Sequence, residues 1–263
     1  MKKIWLIVNF NTLIISALAV SSTKLCLYYK LEADFPLTII TMSVVFPIVF
    51  SIGGAYKRRE AALREYASIK GYLRSIYFVS RDWVPKSSLN SNAKITNIIQ
   101  SLFQNVRLMF THSNDEINKH EENIYNNFSE ISLFINKDLR GNGVSTGECS
   151  RTNQYLQKLM ISFESIKHIY QYRTPRTLKA FSSLFIFIIP ILYGPYFAFQ
   201  AENMSYGLEY ITPVLLTMIL VSLQNIQEHL ENPFDQVGED DVKFNVEKFI
   251  NSLKKAEEFQ DKE

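Results

Sequence analysis

The chain has 263 residues, 47% of them hydrophobic, with 19 Phe and 14 Tyr and a formal net charge of +2. So small a charge gives no electrostatic case for nucleic acid as a partner. Its two cysteines, Cys26 and Cys149, lie in different segments and form neither a metal nor a redox pattern.

The mean hydropathy of −0.04 would suit a soluble protein, but it averages over sharply segregated segments. Four charge-free apolar runs sit in the two end regions, and a long charged stretch separates them. That segregation describes an all-α membrane protein with a sizeable water-exposed part.

Met1-Lys2-Lys3 opens the chain, and Ile4 to Thr23 is the first apolar run. A short basic start followed by an apolar core and Ala17-Leu18-Ala19 also describes a cleavable signal peptide. The uncharged run is longer than a typical signal core, and Asn9, Asn11 and Thr12 interrupt its apolar part. A retained first transmembrane helix is the preferred reading. The link Lys24 to Asp34 is short, which predicts a second span packed antiparallel to the first.

That second span, Phe35 to Ala55, organises the chain. It is about 21 residues long, roughly 31 Å as a helix, enough to cross a bilayer core. Pro36 suits a first helical turn, and Pro47 removes one backbone hydrogen bond and predicts a kink. The charge-free run stops at Lys57-Arg58-Arg59, yet helical spacing continues to about Ser80 with a stripe of Leu63, Tyr66, Leu73, Ile76 and Tyr77. The pattern is a membrane helix that continues into water behind a basic collar.

Trp83-Val84-Pro85 and the polar residues after it mark a break. Ile95 to Met109 reads as the next helix and Glu116 to Leu139 as another, with a weaker stripe of Ile117, Ile124, Phe128 and Ile131. Gly141 to Ser150 reads as a flexible loop. Arg151 to Tyr172 is amphipathic, with Tyr155, Leu159, Phe163, Ile166 and Tyr170, and should stop at Thr174-Pro175. Ala180 to Ala201 is the third apolar run, containing Pro190 and Pro195, and Tyr210 to Gln227 is the fourth. An acidic turn and an amphipathic helix close the chain.

The segments group as 1–56 (spans one and two), 57–176 (a cytosolic helical domain), 177–228 (spans three and four) and 229–263 (an acidic turn and C-terminal helix). Basic residues flank the spans at Lys2 and Lys3, at Lys57 to Arg59, and at Arg173, Arg176 and Lys179. The turn between spans three and four holds acids and neither Lys nor Arg. By the positive-inside rule both termini and the helical middle are cytoplasmic. A plasma membrane or bacterial inner membrane is the expected location.

Motifs for hydrolases, nucleotide binding or thiol redox chemistry are missing, so an enzyme is not expected. His112, His120, His168 and His229 are scattered on polar helix faces, where solvated surface is the ordinary role. The predicted spans carry no charged residue, which argues against a proton relay or voltage sensor. A pore, if present, must then lie between subunits.

Phe35 to Gly71, the Thr174-Pro175 junction and Glu231-Asn232-Pro233-Phe234 together resemble the bestrophin channels, and the likeness covers the whole layout. It implies a homopentamer with one axial pore for chloride and other small anions, some bacterial relatives favouring cations. It implies a neck lined by Phe46, Phe50 and Gly54, with Pro47 and Gly53 beside them. Gly54 departs from the bulky residue usual in relatives and predicts a wider cytoplasmic end. The resemblance also implies a second constriction at Thr174, with Arg173 and Arg176 raising the local anion concentration. In animal bestrophins carboxylates after Asn-Pro-Phe help clasp calcium, which points to Asp235, Glu239, Asp240 and Asp241. Here Asp235-Gln236-Val237 looks inserted and Lys243 follows, so a solvated acidic turn is the ordinary alternative. No other cofactor is implied. Two rivals stand beside the anion channel: a cation-selective pore of the same fold, and a non-conducting scaffold whose cytosolic helices dock a partner.

Overall fold

Asn9 caps the first long helix among the described residues. Its side chain accepts from the Thr12 backbone N–H at 3.1 Å, while the Thr12 hydroxyl accepts from the Asn9 N–H at 3.2 Å. This reciprocal cap places α1 at Phe10–Tyr29, several residues later than the apolar run suggests, and takes in Lys24, which is exposed. The polar residues that seemed to interrupt the run are its start signal. A computed structural model describes residues 7–84, 89–111, 116–172, 175–236 and 241–255.

The remaining helices are α2 (Leu37–Trp83), α3 (Leu89–Thr111), α4 (Ile117–Leu133), α5 (Thr146–Gln171), α6 (Arg176–Gln200), α7 (Leu208–Glu231) and α8 (Val246–Lys255). A π turn, Phe134–Leu139, extends α4. Among the described residues the fold is all-α, and α1, α2, α6 and α7 are each long and apolar enough to cross a bilayer. This is an integral membrane protein. The α2 helix is one element of 47 residues that contains Pro47. The α7 helix begins two residues before the apolar run and includes Glu209, a buried residue in its first turn, where a helix N-terminus favours a carboxylate.

The chain divides into two compact units, residues 1–59 with 173–232 and residues 60–172 with 233–263. In the first, α1 lies against α6 and α7. Its core joins Ile15 and Ala19 of α1 and Val44 and Ile48 of α2 to Ile186, Ile189, Tyr193 and Phe197 of α6 and Leu220 and Val221 of α7.

One contact explains how a proline-rich helix survives in an apolar setting. Pro195 has no N–H, so the Ile191 carbonyl one turn earlier lacks its helical donor. The Ser22 hydroxyl of α1 donates to that carbonyl at 2.8 Å. Gly194 permits the approach, since a Cβ there would lie 2.9 Å from the Cys26 sulfur and from the Ser22 backbone. Just beyond α1, the Ala33 N–H donates to the Pro195 carbonyl at 3.2 Å. At the other end of this unit, Asn225 of α7 donates to the Ile7 carbonyl at 2.6 Å and accepts from Asn9 at 3.2 Å.

The second unit is built on aromatic packing. Phe234, fully buried, stacks on Phe110 at 5.0 Å, and Phe244 stacks on Phe110 at 5.7 Å. Tyr66 meets Phe244 edge-on at 5.0 Å and donates its hydroxyl to the Lys243 carbonyl at 3.1 Å. Phe103 packs on Phe249 of α8 at 5.0 Å. The Asn-Pro-Phe turn is thus anchored by its phenylalanine in the core of this unit.

The stretch Gly141 to Ser150 departs from expectation. Only its first half is a loop, because Ser145 accepts from the Glu148 N–H at 3.3 Å and starts α5 at Thr146. His120 departs as well. It is buried, with Nδ1 3.4 Å from Asn105 Oδ1 and Nε2 3.7 Å from Glu116. His168 is exposed and stacks on Tyr172 at 4.5 Å. His112 lies outside the described residues.

Candidate functional site

Within the first unit, α2 has two unlike faces. Val44, Ile48 and Ala55 are 1%, 0% and 0% exposed, whereas Phe46 and Phe50 are 58% and 72% exposed. Four-residue spacing puts Phe46 and Phe50 one above the other, their rings nearly parallel at 25° with centroids 6.2 Å apart. One turn before them Met42 is 51% exposed, and before that Ile39 continues the same row. The open face is therefore Ile39, Met42, Phe46, Phe50 and Gly53, and nothing would lie within 4 Å of a Cβ at Gly53.

Gly54 is half-buried, and a Cβ there would contact Arg58 Nη1 at 3.6 Å. The same four-residue spacing places Gly54 one turn beyond Phe50, where the Arg58 side chain lies over it. Met42 was not among the expected residues. Its signal, an apolar side chain four residues before Phe46, is present in the sequence but does not distinguish an open face from a packed one.

The basic collar separates into unlike parts. Arg58 and Arg59 both have interaction partners, and the charge of Glu231 acts on Arg58. Glu231, whose side chain is 10% exposed, also pairs with Lys179 at 3.2 Å, which joins the first turn of α6 to the end of α7. Lys57 is exposed and makes no hydrogen bond or ion pair among the described residues.

Of the second expected constriction, Arg173 and Thr174 lie outside the described residues, as does the side chain of Arg176. Pro175 precedes α6, and its carbonyl accepts from Leu178 and Lys179 at 3.0 and 3.3 Å.

The acidic turn is described in part. Asp235 and Asp241 each have interaction partners, while Glu239 and Asp240 lie outside the described residues. The Gln236 side-chain amide donates to the Phe234 carbonyl at 3.3 Å and the Val242 carbonyl at 2.9 Å. Gln236 reaches this position with φ at 62°, in the left-handed region. Among the described residues no group of three metal-ligating side chains occurs.

No protein-family model matches the sequence, and neither does any curated protein. Solved structures do match over nearly the whole length. A bacterial bestrophin homologue from Klebsiella pneumoniae superposes with a TM-score of 0.76 at 11% identity, covering 94% of this chain and 95% of that one. A mutant of the Klebsiella homologue gives 0.74 at 13% identity, with 97% of each chain covered. A protein described only as a membrane protein gives 0.77 at 12% identity, covering 94% of this chain and 97% of its own. The chain has the fold of the bacterial bestrophin homologues.

Proposed function

We propose, from the bestrophin-homologue fold and the open aromatic row of α2, that this chain forms a homopentameric channel for small anions of the chloride class. The observation that carries the reading is the two-faced character of α2. One face is packed into the unit, and the other presents Met42, Phe46 and Phe50 with no acidic or basic side chain between Ile39 and Tyr56.

Five copies around an axis would stack phenylalanine rings into a narrow apolar neck. Such a wall can gate by dewetting, and its ring edges carry a weak positive potential toward an anion that sheds part of its water. Both termini and the second unit lie on the cytoplasmic side in this reading, as the basic flanks of the spans require. Conduction is passive, since no residue of the proposed path offers a coupling chemistry.

Reconstitution in liposomes under a chloride gradient tests the proposal. A reversal potential near that of chloride, with conductance raised at least several-fold by Phe50→Ala, is the expected result. A reversal potential near the cation value keeps the pore and overturns its selectivity. A confirmed oligomer without current favours the scaffold.

A further inference from the structure

We infer that Lys57 sets the charge preference of the proposed path, as a ring of five ammonium groups directly below the phenylalanine neck. The inference rests on the channel reading above and adds to it a residue that determines specificity.

Position carries the argument. Lys57 follows Phe50 by seven residues, two helical turns, so it returns to the same face about 10 Å further along the axis. Gly53 and Gly54 stand between them: Gly53 is exposed, with no atom within 4 Å of where a Cβ would be, and a Cβ at Gly54 would meet Arg58 Nη1 at 3.6 Å.

Charge accounting adds an independent observation. Three consecutive basic residues would serve equally well as a topological signal, but they are not equivalent in the structure. Arg58 and Arg59 have partners, and the Glu231 carboxylate acts on Arg58. Lys57 has none among the described residues, and no acid precedes it on the row from Ile39. Its charge is therefore uncompensated where the others are spent on packing. A ring of uncompensated cations at a pore mouth raises the local anion concentration and lowers that of cations.

The size follows from Coulomb's law. Five unit charges about 10 Å away through water, screened over a Debye length of about 8 Å at ~0.15 M salt, enrich an anion about three-fold and deplete a cation as much, which changes the anion-to-cation preference about seven-fold. At ~0.01 M, where the Debye length is about 30 Å, the same charges enrich an anion about ten-fold and change the preference roughly 100-fold.

The test uses the full-length protein in liposomes, with relative chloride and sodium permeability read from reversal potentials at both salt concentrations. Lys57→Gln should lower the chloride preference about seven-fold at high salt and roughly 100-fold at low salt, and Lys57→Arg should retain it. To separate charge from folding, Lys57→Cys is reconstituted first and then treated with a cationic or an anionic thiol reagent, with the treated wild type as control. The cationic reagent should restore the preference and the anionic one reverse it. A current that responds to Phe50→Ala but is indifferent to every change at Lys57 overturns this inference and leaves the pore standing. No current from the wild type overturns both.

Discussion

At the scale of single residues, the proline-freed carbonyl of Ile191 is a sensitive point in the membrane-spanning part. Ser22 supplies its replacement donor, and removing that hydroxyl leaves a carbonyl unsatisfied in an apolar environment. Ser22→Ala should cost about 1 to 3 kcal/mol. Gly194→Ala should cost a similar amount by a different route, because the added methyl meets Ser22 and Cys26 and pushes α1 away from α6. Both losses are measurable as lowered thermal midpoints in detergent, and a double mutant should lose less than the sum, since the sites share one contact.

In the second unit, Lys167 pairs with Glu164 at 2.8 Å and with Glu121 at 3.1 Å, and Tyr125 donates to Glu164. Burial alone would push the Glu164 carboxyl up, but the hydrogen bonds from Lys167 and Tyr125 prevail and hold it below its ordinary value. A depressed carboxylate stabilises the fold above its unfolded pKa and loses that contribution as pH falls through the folded value. Glu164→Gln should therefore flatten the loss of stability between about pH 5 and about pH 3 relative to wild type. Equal slopes in the two proteins would refute the role given to Glu164.

At the scale of elements, the start of α5 shows what the sequence discloses and what it conceals. Three glycines between Gly141 and Gly147 read as a loop, but Ser145 and Glu148 form the serine-to-acid spacing of a helix start, and that local signal prevails. Ser145→Ala should lower stability by about 1 kcal/mol. Gly147→Ala should raise it by about 0.5 kcal/mol, because the position is helical and its Cβ would find only the Ser145 hydroxyl at 4.0 Å. Opposite signs for neighbouring substitutions, seen in thermal unfolding, would confirm that the helix begins here.

The long α2 was legible because its apolar run passes into an amphipathic stripe without a change of period. The start of α1 was misplaced because Asn9 and Thr12 cap the helix and were read as interruptions. The site was legible only in part. Spacing puts Phe46 and Phe50 together, but which face of a membrane helix is left open depends on what packs against the other side. That is a tertiary fact, and it is why Met42 and the unpaired state of Lys57 became visible only in the fold.

At the scale of the whole molecule, the helical second unit leaves apolar surface that a water-exposed segment does not ordinarily keep. Ile161 is 57% exposed and Leu133 49%, and Ile161 lines an open groove of about 1340 Å³ with Tyr125, Phe128, Met160 and Tyr172. Exposed apolar side chains grouped in a groove among polar ones such as Glu164 and Lys167 suit a protein interface. In the proposed pentamer each copy offers the same patch to its neighbour around a closed ring, which satisfies it five times without a free edge. An interface of this type owes its stability to desolvated apolar anchors, so a charge placed at its centre leaves an unpaired ion in every contact. Ile161→Glu should therefore abolish assembly while leaving each unit folded, because the side chain points away from the core of its own chain. Light scattering on the purified protein in detergent reads the outcome directly: wild type at the mass of five chains, the variant at that of one, with unchanged helical circular dichroism. A variant that still assembles as the wild type does would move the subunit contact to another face of the second unit and leave the groove to a different partner.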